Sequence, residues 1–131
     1  MEFTLPRSGR SPFTFQGDII AQESTRSPRG RQRSRWHEVT LHRSLSGKYI
    51  LAIGYRSEWN TELDRDEVHV MASPLEVESV LSTYDPVAYV VGYPLTPEYE
   101  DRQERLLKDI RMRWDALVSQ CLDFPEFAQK V

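Results

Sequence analysis

Apolar residues recur at every second position in three stretches between residues 13 and 56, and at every third or fourth position in two stretches beyond residue 73. A period of two marks a strand with one buried face, and a period near 3.6 marks an amphipathic helix. In the first stretch Phe13, Phe15, Ile19 and Ala21 share one parity with Gly17 between them. That predicts a half-buried strand in which Gly17 marks a bulge or a close backbone approach. Residues 36–43 and 49–56 flank Ser44-Leu45-Ser46-Gly47, whose glycine suits a turn needing positive φ, so the two runs read as a β-hairpin. Its first strand sets His37, Val39, Leu41 and Arg43 on one face and Trp36, Glu38, Thr40 and His42 on the other. Its second carries Tyr49, Leu51, Ile53 and Tyr55 opposite Ile50, Ala52 and Gly54, and a strand apolar on both faces belongs in the middle of a sheet. A polar, acidic connection over 57–66 leads to a short fourth strand at 67–71, marked by Val68 and Val70.

The period then changes. Ser73-Pro74-Leu75-Glu76 is a helix start, with serine as cap, proline in the first turn and glutamate closing a capping box. Val77, Val80, Leu81 and Tyr84 follow as one stripe, and Asp85-Pro86 ends the helix predicted over 73–84. Residues 87–93 are apolar throughout and read as a fifth short strand or a buried connection. Thr96-Pro97-Glu98 opens a long helix over 96–122, with acids near its positive end and a stripe of Leu106, Ile110, Trp114, Leu117 and Cys121. Residues 1–12, with Pro6, Gly9 and Pro12, read as an extended arm, and 123–131 as a tail. Strands first and helices after predict one α+β domain over 1–131: a curved antiparallel sheet of about four strands with two helices packed on one face.

A chain of 131 residues buries enough surface to fold without metal or disulfide, and the single Cys121 cannot form an internal bridge. No apolar run reaches the roughly 20 residues of a membrane span, and the first dozen residues lack the apolar core of a signal peptide. The expectation is a soluble, cytoplasmic protein with no membrane contact.

Charge adds the one functional clue. The net charge of −3 conceals ten basic and four acidic residues over 1–57 against seven and sixteen over 58–131. Five of the arginines, Arg26, Arg29, Arg31, Arg33 and Arg35, crowd a basic loop at 25–35 that Pro28 and Gly30 keep from forming a helix. Arg7 and Arg10 repeat that spacing in the arm. Guanidinium groups donate paired hydrogen bonds to phosphate, so these seven are the candidate nucleic-acid-binding residues. The plain alternative is a solvated loop whose charges serve solubility, and another is a contact with an acidic protein surface.

Other chemistry finds little footing. His37 and His42 are an odd number of residues apart in one strand, so they face opposite ways, and no cysteine completes a zinc set with His69. The acids between Glu58 and Glu67 lack the glycine and order of a calcium loop. Cys121 lies in an apolar stripe, where cysteine acts as a small hydrophobe. There is no Gly-x-Ser-x-Gly elbow or phosphate-cradling glycine loop. No metal, cofactor or catalytic residue is assigned, and an enzyme is not expected. Trp36, His37, Tyr49, Tyr55 and Trp59 read as packing residues before they read as a base-stacking platform. The last helix carries more apolar surface than one stripe needs. Leu107, Val118 and Leu122 widen it and are the candidate contacts with a protein partner or a second copy. The expectation is a non-catalytic accessory protein that touches nucleic-acid phosphates as a subunit of a larger assembly. The alternative is a protein-interaction module whose arginine loop meets an acidic partner.

Overall fold

The computed structural model describes residues 1–26 and 35–123. Strands β1 (Glu2–Arg7), β2 (Arg10–Ser24), β3 (Arg35–Ser44), β4 (Tyr49–Ser57) and β5 (Arg65–Met71) are followed by helices α1 (Pro74–Thr83) and α2 (Glu100–Leu122). Every strand pairs antiparallel with its sequence neighbour, in the order β1-β2-β3-β4-β5, and the sheet curls into a half-barrel. The expected α+β class holds, with one strand more than expected.

The helices cover one face of the sheet. Ala21, Val39, Leu41, Tyr49, Leu51, Ile53 and Met71 meet Val77 and Leu81 of α1 and Trp114, Leu117 and Cys121 of α2 in one buried cluster. Leu51 is fully buried and lies in β4, flanked by β3 and β5, as its two apolar faces predict. Helix α1 starts where the sequence places it. The Ser73 hydroxyl accepts from the Glu76 N–H at 3.3 Å, and the Glu76 carboxylate reaches back to the Ala72 N–H at 2.7 Å. A short 3-10 turn, Pro97–Tyr99, precedes α2, so the α-helix proper begins at Glu100.

The sequence pattern and the structure differ in three places. Where an extended arm was expected at 1–12, Phe3 pairs with Phe15 and Leu5 with Phe13 in a hairpin closed by Ser8 and Gly9, the latter at φ 72°. The pairing slips at Pro6, which has no N–H to give. Strand β2 also changes face. Phe15 packs edge-on to His42 on the face away from the helices, whereas Ala21 joins the helix-side core. The register shift between Ile19 and Ala21 makes that switch and leaves Ile19 47% exposed, so the four residues do not share one buried face. Gly17, just before the slip, is the close approach: a Cβ there would lie 2.3 Å from the Arg43 carbonyl oxygen. Finally, residues 87–93 are neither strand nor buried. They form turns in which Tyr89, Val91 and Tyr93 are exposed.

Candidate nucleic-acid interface

The arginine-rich connection between β2 and β3 springs from a well-defined base. The Thr25 N–H donates to the His37 carbonyl at 2.9 Å, and the His37 N–H donates to the Thr25 hydroxyl at 2.8 Å. One step further out, the Arg26 guanidinium lies over the Trp36 ring, 4.4 Å from its centroid. Arg26 is exposed. Arg29, Arg31 and Arg33 lie outside the described residues.

Arg35 behaves differently from the expected phosphate ligand. Its Nε and Nη2 donate to both oxygens of Glu62, at 2.9 and 2.6 Å, and its side chain is only 11% exposed. A guanidinium whose charge is matched by a buried carboxylate and whose side chain is itself nearly buried is not available to phosphate, so Arg35 is removed from the candidate set. Glu62 also accepts from the Tyr55 hydroxyl at 2.5 Å and from the backbone N–H groups of Val91 and Gly92 at 3.2 and 3.3 Å. Burial by itself would raise its pKa, but these donors and the Arg35 charge outweigh that and hold the carboxyl at about 2. By the same balance, burial works against the Arg35 charge while Glu62 raises its pKa. Tyr55 is pushed up by burial and by the carboxylate beside it.

Glu62 is the site residue that sequence reasoning missed. It looked like one of several solvated acids in a polar connection. Its partners Arg35 and Val91 stand 27 and 29 residues away, and nothing in the local pattern points to them.

The other basic segment comes to the same end of the sheet. The Ser8 N–H donates to the Asp66 carbonyl at 2.9 Å, and the Asp66 N–H donates to the Ser8 hydroxyl at 2.8 Å. Asp66 pairs with Gly54, Gly54 with Glu38, and Glu38 with Ser24. One transverse row thus runs from the β1–β2 turn to the root of the arginine-rich connection. Arg7 and Arg10 flank the first end of the row, Arg10 exposed and Arg7 half-buried over Phe13. Between the ends, Arg56 bonds to Asp66 at 2.8 Å and lies 3.6 Å from Glu38, so its charge is used within the protein. Trp59, whose ring faces the Arg35 guanidinium, is 53% exposed.

The remaining candidates fall elsewhere. His37 is buried among Tyr55, Tyr84 and Trp114. Burial and the Arg113 charge lower its pKa to about 4, against the opposing effect of the ring N–H donating to the Pro86 carbonyl. His42 sits on the opposite face between Phe3 and Phe15, also with a lowered pKa from burial. Cys121 is buried, which together with Glu23 pushes its thiol up to about 12. Glu67 lies between His69 and Tyr89, at 3.0 and 3.2 Å, in a cleft of about 330 Å³. Among the described residues, no three His, Cys, Asp or Glu side chains come together as a metal site, and no helix is long and apolar enough to cross a membrane.

Leu107, Val118 and Leu122 are each half-buried, and Val118 and Leu122 pack against the helix-side core. Val118 also lines a groove of about 540 Å³ between the end of α1 and α2. No protein-family model, curated protein or solved structure matches the chain, so its chemistry is argued from its own residues.

Proposed function

We propose that the protein is a non-catalytic accessory protein that contacts nucleic-acid phosphates through Arg7, Arg10, Arg26 and the adjoining Arg29, Arg31 and Arg33. The observation that carries this reading is the row from Ser8 to Ser24, which puts the turn between Arg7 and Arg10 and the root of the arginine-rich connection at one end of the sheet. Convergence of basic groups is what an extended polyanion requires, since it neutralises several phosphates at once. Arg35 and Arg56 serve a different purpose: their bonds to Glu62 and Asp66 tie the strands together within the protein.

The test is a titration of labelled oligonucleotides at two salt concentrations. Affinity should fall with log salt by about 0.7 to 0.9 per phosphate neutralised. Replacing the six proposed contacts with alanine, and leaving Arg35 in place, should abolish binding. Salt-independent binding, or binding that survives all six changes, would overturn the proposal.

A further inference from the structure

Resting on the phosphate-binding reading, we infer that the ligand is single-stranded nucleic acid and that Trp59 stacks on one of its bases. The three tryptophans have different surroundings. Trp114 is buried and donates through its indole nitrogen to the Leu81 carbonyl at 3.2 Å. Trp36 is half-buried, has Arg26 over its ring, and donates to Glu38 at 3.0 Å. Trp59 is 53% exposed.

That exposure is built into the turn. The Trp59 N–H donates to the Ser57 hydroxyl at 3.2 Å, and the Trp59 carbonyl accepts from the Glu62 N–H at 3.1 Å. The Ser57 N–H in turn donates to the Asp64 carboxylate at 3.1 Å. The side chain of Glu62 anchors the same turn from inside the protein. The backbone is thus held at several points while the indole is left outside. The Arg35 guanidinium, fixed by Glu62, lies 5.3 Å from the ring centroid, which orients the ring.

An indole held in water beside a basic end is suited to a ligand with both charge and flat apolar faces. Single strands present both, and their unpaired bases stack on aromatic side chains in a sequence-tolerant way, whereas a duplex keeps its base faces covered. Glu58, exposed next to Trp59, repels phosphate over the turn itself, so the backbone contacts lie on the Arg26 side.

The test compares wild type, Trp59→Ala and Trp59→Phe by anisotropy of labelled oligo-dT, oligo-U and a duplex of equal length. Wild type should prefer the single strands. Trp59→Ala should lose roughly tenfold in affinity for them, with its salt slope and duplex binding unchanged, because one stacked base contributes about that factor. Trp59→Phe should recover most of the loss. Equal affinity for duplex and single strand, or a Trp59→Ala variant that binds like wild type, overturns the stacking inference while leaving the phosphate reading intact. Failure of the wild type to bind any of the three probes at low salt overturns both, and binding to an acidic polypeptide instead would identify the partner as protein.

Discussion

Arg26 and Arg35 stand at the two ends of one arginine-rich run, yet the fold uses them in opposite ways. Arg35 is desolvated and forked onto Glu62, while Arg26 is exposed and rests on the face of Trp36. The difference teaches that a run of like charges need not be a run of like roles. What decides the role is whether a carboxylate waits where the chain turns inward. At Arg35 one does, because Glu62 is held by Tyr55 of β4 and by the backbone of residues 91 and 92.

The widest gap between the two should appear in stability. Arg35→Ala leaves Glu62 buried without its counter-charge and should cost about 3–5 kcal/mol. Arg26→Ala should cost no more than about 1 kcal/mol, the scale of an exposed cation–π contact. Urea unfolding of both variants measures this, and similar losses would erase the distinction.

Acid should reveal the same asymmetry. The Glu62 pKa is about 2 when folded against an ordinary 4.5. Its contribution is therefore complete above pH 4.5 and fades as pH falls towards 2, a change of about 3 kcal/mol at 1.36 kcal/mol per pKa unit. His37, at about 4 when folded against 6.5, begins the decline earlier, because the unfolded chain takes up that proton first as pH falls below 6.5. Glu62→Gln should flatten the lower window and leave the upper one. A pH series of melting curves would reveal an unaltered lower window if Glu62 were not responsible.

A smaller effect is expected at the outer pair. A double-mutant cycle on Arg26 and Trp36 should give a coupling of about 0.5–1 kcal/mol. A coupling as large as that of a buried ion pair would mean that Arg26 is structural too. The smallest effect is in binding: Arg26→Ala alone should lower the salt slope by about 0.7–0.9, the share of one phosphate. An unchanged slope would remove Arg26 from the interface.

Much of the fold was legible because periodicity is local. The β3–β4 hairpin, the Ser73 cap and the α2 stripe each depend on neighbours within a few residues, and each was read close to its observed limits. The β1 strand was missed although Phe3 and Leu5 alternate, because Pro6 and Gly9 look like breaks rather than an irregularity and a tight turn. Ile19 was misplaced because a one-residue slip reverses facing and leaves no mark in composition. For the site, the basic segments were visible as charge, but the row that links the β1–β2 turn to the root of the arginine-rich connection was not. It depends on Ser8 reaching Asp66 across 58 residues. Glu62 and Arg35 were invisible as a pair for the same reason.

The contact between Ser8 and Asp66 has a consequence for self-association. A meander leaves its first and last strands with unpaired backbone groups, which recruit further strands from other molecules. Here the two outer strands meet at one end, and the Asp66 N–H and carbonyl are both occupied by Ser8. Pro6, lower on β1, offers no donor to a newcomer. Val70, further along β5, is 48% exposed, so the stretch that Ser8 does not reach carries an exposed apolar side chain. Removing residues 1–8 would open the guarded part of β5 beside it and turn the sheet's edge into a template for cross-molecule pairing, visible as oligomers that grow with concentration.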